Sequence, residues 1–182
     1  MNRREAIEKV TFLLGGAMIG SQAFLSSSFT FGRGKGLLSE NHKALLNEIG
    51  ETILPATDTP GAKEADVAAF MDAVVTDCYT PAEQRIFMEG ISKLEAACQK
   101  AYGTKFRELS PALREKLLTD IDKEHIAYMA SKKAEDPVHY FRMFKELTLA
   151  GYFTSEAGAT KFLKYNPAPG RYDGCTTEKP WY

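Results

Sequence analysis

Apolar residues recur along most of this chain at steps of three and four, and period-two alternation is scarce, so the pattern predicts helices and no sheet. Ser39 can cap a helix carrying Leu45, Leu46, Ile49, Ile53 and Leu54 on one side, and Pro55 stops it. In the turn that follows, Asp58 can accept backbone N–H bonds, and Pro60-Gly61 suits the centre of a type II turn. The next helix has Glu64 and Asp66 in its first turn, where acidic charge complements the dipole, and Val67, Phe70, Met71, Val74 and Val75 on its core face. Thr80-Pro81-Ala82-Glu83 reads as a capping box with proline at the first helical position. Phe87, Ile91, Leu94 and Cys98 follow at helical spacing, and Gly103 ends that helix. Ser110-Pro111 opens another, with Leu113, Leu117, Ile121 and Tyr128 inward. Asp136-Pro137 opens the next, with Tyr140, Phe141, Phe144 and Leu147 inward and Gly151 as its terminator. The expected fold is an all-α bundle of five to six helices with short connections.

The C-terminal stretch organises the rest. A short helix restarts at Thr154, and from Tyr165 an extended segment rich in proline and aromatic rings runs to the end, with Cys175 on it. Such a segment has little of its own to pack against, so it needs a groove on its own domain or on a partner. The expected organisation is a signal segment over 1–25, a flexible leader over 26–38, a helical domain over 39–164 and a partner-binding tail over 165–182.

Composition changes the picture only by exclusion. The chain has 182 residues, 44% of them apolar, and a formal charge of −1, which suits one domain with an extra segment. No basic stripe or basic tail offers a nucleic-acid footprint. Residues 1–25 are set apart. Arg3 and Arg4 precede an apolar run, Val10 to Leu25, that is diluted by glycine and is shorter than the roughly 20 residues that span a bilayer comfortably. Paired arginines before a weakly apolar core resemble a twin-arginine export signal, a route that carries folded proteins. Asn2 stands before the arginines and Glu5-Ala6-Ile7 after them, a departure from the usual pattern. Ser21-Gln22-Ala23 offers a weak cleavage site, and the alternative is an uncleaved membrane anchor.

Candidate chemistry is sparse. His42, His125 and His139 have no partner at a metal-ligand spacing. Glu48 and Glu51 are three apart and can face each other, but an acid/base pair needs a concave site, and a solvated helix edge is the plain reading. No glycine-rich loop follows a strand, and Ser155 has no His or Asp partner to activate it. No catalytic, cofactor-binding or metal residue is therefore expected. Cys98 lies 17 residues beyond Pro81, about 25 Å along one helix, too far for Cys78 to bridge unless Gly90 breaks it. Cys98 reads as a small core residue. Cys175 is either bonded to another chain, free, or paired internally.

The chain resembles the gluconate 2-dehydrogenase subunit 3 family, the small subunit of membrane-associated flavin-dependent sugar and sugar-acid dehydrogenases. The resemblance rests on the twin arginines, on Glu51-Thr52-Ile53-Leu54-Pro55-Ala56-Thr57-Asp58-Thr59-Pro60-Gly61-Ala62, on Cys78-Tyr79-Thr80-Pro81, on Gly151 through Glu156, and on Tyr165 through Cys175. It implies a role without catalysis. The large subunit of such complexes is a glucose-methanol-choline type flavoprotein that holds FAD, a cytochrome c subunit often takes the electrons, and the small subunit is needed for assembly and export. The expected location is the periplasm, with membrane association through an uncleaved signal or a partner, and the twin-arginine translocase is an expected partner.

On that picture Tyr152, Phe153, Tyr165, Pro167, Pro169, Tyr172, Cys175 and Trp181 are candidate partner contacts, since interface energy concentrates in buried aromatics. Cys175 is the candidate for an inter-subunit disulfide. Tyr152 and Phe153 are weighed equally against rings folded back on their own bundle. The competing functional readings are a free-standing periplasmic helical binding module and an enzyme acting alone.

Overall fold

The computed structural model describes residues 36–163 together with Tyr165 and Gly170. The paired arginines Arg3 and Arg4, the leader up to residue 35, and Pro167, Pro169, Tyr172, Cys175 and Trp181 lie outside the described residues.

Among the described residues five α-helices carry the fold: α1 (Glu40–Ile53), α2 (Val67–Asp77), α3 (Pro81–Tyr102), α4 (Pro111–Ser131) and α5 (Tyr140–Thr154). A 3-10 turn, Phe106–Glu108, joins α3 to α4, and a π turn, Ala157–Phe162, follows α5. No strand occurs among the described residues. The all-α bundle expected from periodicity is the fold observed. No described helix is long and apolar enough to cross a membrane.

Several starts and stops follow from local chemistry. The Ser39 hydroxyl accepts from His42 N at 3.3 Å and caps α1. Thr80 and Glu83 form the reciprocal capping box of α3, and Gly103, at φ 70°, closes that helix in the left-handed conformation that glycine adopts without strain. The helix runs unbroken through Gly90, whose missing Cβ lets α5 come close; a methyl there would lie 2.6 Å from the Tyr140 Cβ.

Other boundaries differ from the sequence pattern. Helix α2 starts at Val67, not at Glu64, because Asp66 takes φ 48° and its backbone cannot belong to the helix. The Asn47 amide spans the junction: its Nδ2 donates to Asp66 Oδ1 at 3.0 Å and its Oδ1 accepts from Ala68 N at 3.0 Å. Helix α5 starts at Tyr140, not at Pro137. His139 Nδ1 accepts from Phe141 N at 3.3 Å, so an imidazole does the capping. Gly151 does not end α5, which runs on to Thr154. Its role is close packing, since a Cβ there would stand 2.8 Å from the Phe70 ring. Leu113 is exposed, not inward, in the first turn of α4. Within the leader, Gly36 to Leu38 is pinned to α2. Leu38 is buried and its N–H donates to Asp72 Oδ1 at 2.9 Å, while Leu37 N donates to Thr76 Oγ1 at 3.1 Å.

Helix α5 is the central element, packing against all four other helices and against the π turn. Its inner residues Phe141, Phe144 and Leu147 are buried, and Phe144 meets Phe87 of α3 edge to face at 4.9 Å. Thr148 is fully buried, and its hydroxyl donates to Phe144 O at 2.7 Å, so no polar group is orphaned there.

Candidate functional site

The two carboxylates considered as an acid/base pair diverge. Glu48 turns to Arg114 of α4 at 2.5 Å and to Lys63 at 2.6 Å. The Lys63 bond leads, burial works against it, and the Arg114 bond adds to it; together they hold the Glu48 carboxyl below its usual range. Arg114 also donates to Arg107 O at 2.6 Å and lies 5.7 Å from the centre of the Phe106 ring. That cluster ties α1, the 3-10 turn and α4 together.

Glu51 serves the backbone instead. Its Oε1 accepts from Ala56 N at 2.8 Å and its Oε2 from Lys63 N at 2.9 Å. Both oxygens therefore hold the two ends of the turn after Pro55. Gly61 is not left-handed, so the type II turn is not formed. Glycine is needed because a Cβ would collide with the Glu51 carboxylate. The N–H-accepting role expected of Asp58 belongs to Glu51, and Asp58 is exposed. A useful sequence signal was the place of Glu51, one helical turn before a proline stop. There a carboxylate near the end of the helix can accept from N–H groups of the turn that follows it.

His125 and His139 come together at the α4–α5 end, with ring centres 5.7 Å apart. His125 Nδ1 lies 3.1 Å from Asp122 Oδ1, and Lys145 Nζ bonds both Asp122 oxygens at 2.9 and 3.0 Å. Burial pushes the Asp122 carboxyl up, but the bonds from Lys145 and His125 outweigh it, and the net direction is down. Burial pushes His139 below its usual range and lifts the Tyr140 phenol to about 12. No group of three or more His, Cys, Asp or Glu side chains with metal-binding geometry occurs among the described residues.

Tyr152 is a correction. It is 3% exposed and its hydroxyl donates to Pro60 O at 2.7 Å, so the ring belongs to the domain's own core and is not an open partner contact. Phe153 is half-buried and packs on Phe162 at 5.5 Å. Phe162 and Tyr165 are exposed, at 45% and 61%. The described remainder of the aromatic set is therefore Phe153 and Tyr165, with Phe162 joining it. Ser155 is occupied structurally, donating to Tyr152 O at 2.6 Å and accepting from Gly158 N at 3.0 Å. Beside it a cleft of about 300 Å³ opens between the turn at Pro60 to Ala65 and the π turn, lined also by Glu64, Glu156 and Lys161.

Cys78 is exposed and Cys98 buried, both as free thiols, in agreement with the helix-length argument. Cys98 Sγ donates to Thr104 O at 3.2 Å.

A family model described as Gluconate 2-dehydrogenase subunit 3 matches residues 40–170, which takes in all five helices, both short turns and the Glu51 turn. No curated protein and no solved structure matches the chain.

Proposed function

This chain belongs to the gluconate 2-dehydrogenase subunit 3 family, and on that premise we propose that it is the non-catalytic small subunit of an exported, FAD-dependent sugar or sugar-acid dehydrogenase. FAD sits in a large flavoprotein subunit of the glucose-methanol-choline type, and a cytochrome c subunit takes the electrons. The small subunit assembles with the flavoprotein in the cytoplasm and carries it through the twin-arginine translocase to the periplasm. The observation that carries this reading is the family match across the whole helical domain. The fates of the acidic side chains support it: Glu48, Glu51, Asp72 and Asp122 are each occupied by an ion pair or a backbone N–H, which suits a scaffold. The paired Arg3 and Arg4 support the export step.

The test is co-expression with a glucose-methanol-choline type flavoprotein from the same genome. The expected result is a stable complex, with substrate-dependent dye reduction in the periplasmic fraction. Fully active, correctly exported flavoprotein made without this chain overturns the proposal. The Arg3→Lys, Arg4→Lys double variant is expected to leave the complex in the cytoplasm.

A further inference from the structure

The turn from Pro55 to Gly61 is restrained more heavily than an exposed connection requires. Residues 55–58 are all exposed. Yet Glu51 grips Ala56 N and Lys63 N with its two oxygens, Ala62 N donates to Leu54 O at 3.0 Å, and Thr57 N donates to Thr59 O at 3.0 Å. The Tyr152 hydroxyl, from the central helix, fixes Pro60 O. Gly61 leaves room for the Glu51 carboxylate to close on the backbone. Pro55 and Pro60 remove further freedom. Exposed connections are ordinarily the mobile part of a domain. Restraining one removes the ordering cost that a loop otherwise loses on association.

We propose that the turn Pro55–Gly61 is the preformed contact by which this chain seats on its large subunit, with the exposed Asp58 carboxylate taking a lysine or arginine of that subunit. The inference rests on the subunit reading above. The charge around the turn favours a cationic partner group over an anionic one. The Lys63 ammonium is already held by Glu48, and the adjoining cleft carries Glu64 and Glu156 against the single cation Lys161. Phe162, which ends that π turn, and Tyr165 just after it are exposed and supply apolar surface at the same end of the domain. Glu51 is a positioning residue: it touches no partner and acts by holding the turn.

The experiment uses the full chain and its co-expressed flavoprotein, with affinity measured at low and at high salt. Asp58→Lys changes only an exposed side chain and is expected to weaken the complex about tenfold at low salt, with a smaller effect at high salt. Glu51→Gln keeps one acceptor oxygen. It is expected to weaken binding several-fold while the Ala56 or Lys63 amide gains hydrogen exchange and the core amides do not. Glu89→Lys, an exposed charge reversal on α3, is the control and is expected to bind like the wild type. If the wild type binds and Asp58→Lys and Glu51→Gln bind equally well, the turn is not the contact, and the subunit reading stands. If the wild-type chain does not bind the flavoprotein at all, the subunit reading falls and takes this inference with it.

Discussion

The Arg114 guanidinium meets the Glu48 carboxylate at 2.5 Å although the two residues are 66 positions apart. Both side chains are mostly covered, at 16% and 18% exposure. The same guanidinium bonds Arg107 O and covers the Phe106 ring. One side chain thus joins three elements, and removing it leaves Glu48 with Lys63 alone.

Arg114→Ala is expected to cost about 2 kcal/mol of folding stability, below the full figure for a buried pair because some solvent reaches this one. Urea unfolding followed by circular dichroism measures it. The pH dependence has a definite sign. The folded-state pKa of Glu48 is lowered, so its contribution is complete above the ordinary value of 4.5 and is lost as pH falls through the lower folded value. Glu48→Gln is expected to be less stable near neutral pH and to lose less on acidification. An acid limb as steep as that of the wild type refutes the assignment.

His139 acts at a higher pH. Its Nδ1 is an acceptor at the positive end of α5, so protonation removes the cap and places a cation against the helix dipole. Its pKa is lowered by burial, with His125 and Lys93 adding to the effect and Glu124 opposing it. Stability is therefore complete above the ordinary value of 6.5 and falls as pH drops through the folded value. His139→Asn, with a good capping side chain that does not titrate, is expected to flatten the curve between about pH 7 and about pH 5. Thermal melts across that range check it.

Two glycines are held by neighbours. Gly90→Ala is expected to destabilise by about 1–3 kcal/mol, because α3 and α5 must separate to clear Tyr140. Gly158→Ala is expected to do more damage, since its methyl would meet the Tyr152 carbonyl, backbone that cannot swing aside. Gly103→Ala has open space but a positive φ, so its cost is expected near 1 kcal/mol and purely conformational. Comparative melts of the three variants test the ordering.

In a Cys175→Ser background, a thiol reagent is expected to label Cys78 quickly and Cys98 only on unfolding. Burial both shields Cys98 and pushes its thiol up, away from the reactive thiolate. Mass spectrometry of the labelled peptides reads the result. Rapid labelling of Cys98 in native protein contradicts the packing described above.

The bundle was legible in the sequence because its signals are local. Thr80-Pro81-Ala82-Glu83 and Gly103 specify both ends of α3 from within a few residues. The differences at Glu64 and Gly151 involve residues distant in sequence, whereas the start near Pro137 was displaced by a local cap, the imidazole of His139, which is an unusual capping side chain. Asn47 shapes the start of α2, and Phe70 explains why Gly151 is small. Tyr152 was evenly balanced between core and surface until Pro60, 92 residues earlier, was seen to accept its hydroxyl. The candidate surface was legible only in part. The turn after Pro55 was apparent from its prolines, but the i, i+3 spacing of Glu48 and Glu51 suggested a facing pair, and only the place of Glu51 just before Pro55 pointed to a backbone clamp.

The left-handed backbone at Asp66 has a practical use. A residue with a Cβ held there carries conformational strain on the order of 1 kcal/mol, which the Asn47 amide offsets. Asn at 66 suits that geometry better and keeps an oxygen for Asn47 to reach, so this hinge between α1 and α2 is where a sturdier preparation for biochemistry can be sought without touching any exposed aromatic.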